Sequence, residues 1–112
     1  MPIMFGFATQ RRQMLDAELE RLIAEMPQLG MLRMWVIGDL AMGRVTAESG
    51  LDLVLVQETD EPWQRRADFW NIHLRPRVGT RFSVFTPEEF DKFSDSDPLL
   101  ITAATEGELV SG

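Results

Sequence analysis

The sequence predicts a small α/β domain (α+β), a three- to four-stranded mixed sheet flanked by helices, in one unit over residues 1–112. Three observations carry that prediction. Apolar residues recur at gaps of three and four between Met14 and Met26, the period of one helix face. Short apolar runs stand at Met31 to Ile37, Leu51 to Val56 and Arg81 to Phe85, the length of strands. Helix-start signals at Glu61-Pro62, Thr86-Pro87 and Asp97-Pro98 separate or follow those runs.

Taken in order, Thr9 is positioned to cap a first helix whose stripe is Met14, Leu15, Leu19, Leu22, Ile23 and Met26. Arg11, Arg12, Asp16, Glu18 and Glu20 fall largely on its other faces, and Pro27 and Gly30 stop it. The first strand follows, apolar on both faces apart from Arg33, then a loop or short helix, then the strand holding Asp52. Trp63, Ala67, Trp70 and Leu74 mark the next helix, which Pro76 ends. After the third strand, Thr86, Pro87 and Glu89 form a capping-box signature, so Glu88 and Glu89 read as cap chemistry. A last helix runs from Pro98 to Gly107, and Leu109-Val110 can add an edge strand. The order is α-β-(α)-β-α-β-α-α-(β).

Composition narrows the function. Eleven Lys+Arg against eighteen Asp+Glu leave a net charge of −7, which argues against general nucleic-acid binding, because a phosphate-binding surface needs a basic footprint. Cysteine is absent, which excludes disulfides, thiolate zinc sites and cysteine catalysis. No apolar run approaches the ~20 residues that span a bilayer, and the apolar start Met1 to Phe7 is short and has no positive leader. The expectation is a cytoplasmic protein with no membrane contact. The single histidine, His73, excludes a multi-histidine metal site and reads as structural or surface.

The stretch from Val36 to Val54 carries the chemistry. A strand ends at Gly38, a loop rises through Asp39, Ala41 and Gly43, and Ser49 leads into the strand that holds Asp52. Glycine lets the backbone turn sharply or approach a ligand closely, amides at a helix start can hold phosphate, and acids on the adjoining strand can bind Mg²⁺. Asp39 reads equally as a helix N-cap, Asp52 as a turn cap or a partner for an arginine, and Gly50 as a turn glycine. Arg44, Arg75, Arg77 and Arg81 form either a phosphate patch or solvated surface. Trp35, Trp63, Trp70, Phe82 and Phe85 read as core or interface, and Phe5, Phe7, Phe90 and Phe93 as a candidate sticky surface.

This arrangement resembles the minimal nucleotidyltransferases of the DNA polymerase β-like superfamily, whose signature is Gly-Ser, a ten-residue interval and Asp-x-Asp. Laid on the chain without a gap, the Gly falls on Gly38, the Ser on Asp39, the loop Ala and Gly on Ala41 and Gly43, and the Ser before the acids on Ser49. The paired acids fall on Gly50 and Asp52, and the third acid on Arg81. Val84 to Phe90 and Pro98 to Val110 look like the family's later strand and closing elements. In active relatives the serine meets the nucleotide phosphates, the paired acids hold two divalent metals, and the third acid activates the nucleophile. The resemblance therefore implies Asp52 as the catalytic residue. It implies Gly38, Asp39, Gly43, Arg44 and Ser49 as nucleotide-binding residues, and Asp52 with Asp39 as ligands of a weak or absent Mg²⁺.

Losing one electrostatic contact to a transition state typically costs on the order of 10²–10³ in rate, and here two of three carboxylates are missing. The expectation is a degenerate site in a catalytically weakened or inactive module that binds nucleotide or protein, antitoxin-like or regulatory. Its partner is then a helical HEPN-like protein or a second copy, since minimal nucleotidyltransferases often pair with such proteins. The alternatives are an active Mg²⁺-dependent enzyme moving a nucleoside monophosphate from a triphosphate (NTP) to a protein or small-molecule hydroxyl, and an unrelated small α/β domain.

Overall fold

The computed structural model describes residues 2–112, excepting the side chains of residues 2–5, so the expectation for Phe5 lies outside what it describes. The first helix, α1 (Pro2–Glu25), begins earlier than the Thr9 cap predicts. Thr9 lies inside it and is exposed. No proline separates Pro2 from Pro27, Gly6 costs the helix only about 1 kcal/mol, and a proline in the first turn removes an amide that has no partner there. A short 3₁₀ turn (Met26–Leu29) and Gly30, with φ of 107°, end the run where Pro27 and Gly30 predicted.

β1 (Met31–Ile37), the short α2 (Asp39–Met42), β2 (Leu51–Gln57), α3 (Trp63–Leu74), β3 (Thr80–Phe85), α4 (Pro87–Phe93), α5 (Pro98–Thr105) and β4 (Glu108–Ser111) follow. The sheet order is β3-β2-β1-β4. β1 runs antiparallel to β2 and β4, whereas β2 and β3 are parallel, joined through α3. This is the mixed α+β sheet that the sequence predicts, with all four strands present.

Alternation along the central strands supplies two cores. Met34, Val36, Leu51, Leu53 and Leu55 face one side with Leu15 and Leu22 of α1 and Trp70 and Leu74 of α3. Trp35, Val54, Val56 and Phe85 face the other with Leu100 and Ala103 of α5. Each large apolar side chain so buried is worth about 1.5–3 kcal/mol, which fixes the register of a sheet whose side chains would all change face on a one-residue slip. Thr86 and Glu89 form the predicted capping box, with Glu89 N donating to Thr86 Oγ1 at 3.1 Å and Thr86 N to Glu89 Oε1 at 3.0 Å. Asp97 accepts from the amides of Leu99 and Leu100, capping α5.

Two further expectations for α1 fail. Met14, placed on the apolar stripe, is 48% exposed, whereas Glu18, placed off it, is only 4% exposed. The buried positions run Leu15, Glu18, Leu22 and Met26, one helical stripe with an acid in it.

Candidate functional site

The site assembles where β1 ends beside the start of β2. The antiparallel register pairs Ile37 with Asp52, so the next residue, Gly38, meets the Asp52 side chain. Gly38 has φ of 77° and ψ of −150°, and a Cβ there would lie 2.7 Å from Asp52 Oδ2. The positive φ is what calls for glycine, since the half-exposed Asp52 carboxylate is a side-chain end that can turn aside. Across the parallel pair, Asp52 is the register partner of Arg81, whose Nε stands 3.6 Å from Asp52 Oδ1. The Arg81 side chain is 78% exposed and that of Asp52 36%, so the pair is open to solvent and contributes little to stability.

The loop between β1 and β2 is held from within. Gly38, not Asp39, occupies the N-cap of α2, and Asp39 is the first helical residue. The expected Asp39 cap is therefore replaced by a different bond: Ser49 Oγ donates to Asp39 Oδ2 at 2.7 Å and accepts from Thr46 N at 2.9 Å. Ser49 is buried, and its carbonyl accepts from Arg11 Nε of α1 at 2.7 Å. Gly43 ends α2 in the left-handed region, and Arg44 follows it on the surface, donating its amide to the Asp39 carbonyl.

Gly50 is more than a turn glycine. A Cβ at this position would fall onto the Gly79 carbonyl, which accepts from Leu51 N at 2.8 Å. The β2 entry and the β3 entry touch backbone to backbone. Gly50, Leu51, Asp52, Gly79, Thr80 and Arg81 line a cleft of about 320 Å³ there. Of the residues singled out in the sequence, Gly50, Asp52 and Arg81 line this cleft, Gly38 stands against the Asp52 side chain, and Asp39 is tied to Ser49. Gly43 and Arg44 stand at the far end of α2. Among the described residues, no three His, Cys, Asp or Glu side chains converge on a point where they could hold a metal ion.

Two ionic networks escaped the sequence reading. Glu18 accepts from Arg21 Nε and Nη2 at 2.8 Å each and from Arg77 N at 2.6 Å, and Arg21 Nη2 also reaches the Leu74 carbonyl at 2.9 Å. The Arg21 hydrogen bonds hold the Glu18 carboxyl below its ordinary pKa against the opposing effect of burial. Arg66 of α3 forks onto Glu89 at 2.6 and 3.0 Å and donates to the Val84 carbonyl at 3.0 Å, and this guanidinium in turn lowers the Glu89 pKa. The signal was spacing: Glu18 sits between Leu15 and Leu22, and Arg66 between Trp63 and Trp70, both at stripe positions. Arg75, Arg77 and Arg81 are exposed, as is His73.

No family model and no curated protein matches the chain. Among solved structures it is similar to the crystal structure of a candidate nucleotidyltransferase from Sulfolobus solfataricus. The TM-score is 0.52 at 13% identity, over 94% of this chain and 83% of that one. The fold is that of a small nucleotidyltransferase-like domain. At this identity the likeness speaks for the architecture alone, and chemistry has to be argued from the site.

Proposed function

We propose that this chain is a nucleotidyltransferase-fold module that works by binding a protein partner rather than by transferring nucleotides. One observation supports the reading above the others: at the cleft where the resemblance puts three carboxylates, only Asp52 is present, and an arginine is its neighbour. Divalent-metal catalysis of phosphoryl-type transfer needs ligands of defined geometry around the reacting oxygens. The donors here do not fit that need. Asp39 is engaged by the Ser49 hydroxyl, Asp52 faces Arg81, and position 50 has no room for a side chain.

A partner of the helical HEPN type, or a second copy of the chain, fits the exposed apolar side chains of α1, where Phe7 is 54% exposed ahead of Met14. In this reading Gly38, Asp39 and Ser49 keep the loop folded, and Gly43 and Arg44 shape its tip. Mg²⁺ has no catalytic part.

The test is incubation of the purified protein with each labelled NTP and Mg²⁺ or Mn²⁺, with protein and small-molecule hydroxyl acceptors present. No monophosphate transfer is expected, and thermal melting is expected to stay unchanged by any of the four nucleotides. A specific ligand at 100 times its dissociation constant would add about 2.7 kcal/mol, which such melting resolves. Transfer that disappears in Asp52→Ala overturns the reading in favour of an enzyme.

A further inference from the structure

Both carboxylate oxygens of Asp52 already face a neighbour. Oδ1 stands 3.6 Å from the Arg81 guanidinium, and Oδ2 faces the backbone at Gly38 so closely that a methyl group there would come within 2.7 Å. On the other side of Leu51, the Gly79 carbonyl takes the space in which any side chain at 50 would begin. We infer that the Arg81 guanidinium is the resident cation of this cleft and keeps divalent metal ions off Asp52, so that substituting Arg81 alone opens the cleft to such an ion. The inference rests on the reading of the site as a nucleotidyltransferase cleft without its acids, and adds a specific exclusion device to it.

The physical grounds are charge and tethering. A guanidinium stays protonated at every accessible pH, so its positive charge is permanent. A metal ion bound to a carboxylate sits about 2.1 Å from the oxygen, which would place it within a few ångströms of that charge. Like charges at such distances repel even at the high effective dielectric of a solvent-exposed pair. Arg81 is also held opposite Asp52 by strand register, whereas a metal must be recruited from solution, and a tethered group competes at high effective concentration. Because Arg81 is largely exposed and makes only this long ion pair among the described residues, its removal leaves the core untouched.

The test follows Mn²⁺ by paramagnetic broadening of backbone amide signals in isotope-labelled protein, which needs no catalytic activity. In the wild type, the amides of Gly38 and Asp52 are expected to keep their line widths at roughly 1 mM Mn²⁺, a range in which weak carboxylate sites fill. Arg81→Ala is expected to broaden both. Arg81→Asp, which sets two carboxylates side by side, is expected to do so at a Mn²⁺ concentration at least about tenfold lower. Adding Asp52→Asn to either variant should restore the narrow lines, and Arg81→Lys should behave as the wild type.

Asp52-dependent broadening in the wild type overturns the inference, and so does a folded Arg81→Ala or Arg81→Asp protein with unchanged response. The outcomes separate from those of the functional reading. A wild type that binds Mn²⁺ at Asp52 without transferring nucleotide sinks only the exclusion device. One that transfers nucleotide without Mn²⁺ at Asp52 sinks only the binding-module reading.

Discussion

At Gly50 a single missing Cβ decides what the cleft can become. The Gly79 carbonyl lies where that atom would be, and it is fixed there by its bond from Leu51 N. Gly50→Ala should therefore force the two strand entries apart and cost about 1–3 kcal/mol in urea unfolding, the usual penalty of overpacking. Gly43→Ala meets no atom within 4 Å, so only its left-handed backbone opposes the change, at about 1 kcal/mol. If the two variants cost the same, the close approach at Gly50 is not what that glycine is for. The comparison also bears on restoring a metal site by Asp39→Ser, Gly50→Asp and Arg81→Asp together: the acid at 50 opposes the fold, so the gain has to come from position 81. Glu18 poses the opposite case, a charge that must stay. Glu18→Gln removes the charge that Arg21 and the Arg77 amide share while Arg21 keeps Glu25 and the Leu74 carbonyl, so the change is expected to cost about 1–3 kcal/mol.

The elements follow their local signals closely, and one of them is stopped by an unfavourable residue. α3 ends on Arg75 in the left-handed region, with φ of 46°. An L-residue there pays about 1–2 kcal/mol, and glycine gives back about 0.5–1 kcal/mol in unfolded-chain entropy, so Arg75→Gly should gain roughly 0.5–1 kcal/mol, read as a higher urea midpoint at constant slope. An unchanged or lower midpoint would mean that the Arg75 side chain makes a contact worth as much. The helix stops at Leu74, just ahead of Pro76 as the sequence predicts, and the residue that turns the chain is Arg75, the one before the proline. The strands and the Thr86 and Asp97 caps were legible because apolar runs and capping residues are local signals. The pairing of Ile37 with Asp52 and of Asp52 with Arg81 was foreshadowed only by the family spacing, since register depends on residues far apart in sequence. The start of α1, the Asp39–Ser49 bond and the Gly50–Gly79 approach were not legible. Each depends on what packs against the segment, and a helix start, an acid or a glycine reads the same with or without that neighbour.

For the molecule as a whole, the two carboxylates held below their ordinary pKa, Glu18 and Glu89, set the response to acid. Glu18 ties α1 to the turn after α3, and Glu89 ties α4 to α3 and, through Arg66, to the Val84 carbonyl, so between them they brace helices on both faces of the sheet. Each has a folded pKa below its ordinary value of 4.5, the Arg21 and Arg66 hydrogen bonds being the largest cause. Below that value the unfolded chain takes up protons that the folded chain still refuses, so the folded state loses ground as pH falls. The contribution is fully present above about pH 5 and is lost as pH falls through the lowered folded values. The net charge of −7 acts in the other direction, because protonating surface acids first relieves repulsion. Stability is thus expected to hold or rise slightly from pH 7 to about pH 5 and then drop steeply below pH 4.5. Urea unfolding followed by tryptophan fluorescence across pH 3–7 checks this, Trp70 being fully buried and bonded to Gln57. The double variant Glu18→Gln/Glu89→Gln should be less stable at pH 7 yet lose less on acidification, so the two curves converge near pH 3. Parallel curves would show that carboxylates other than these two carry the acid response.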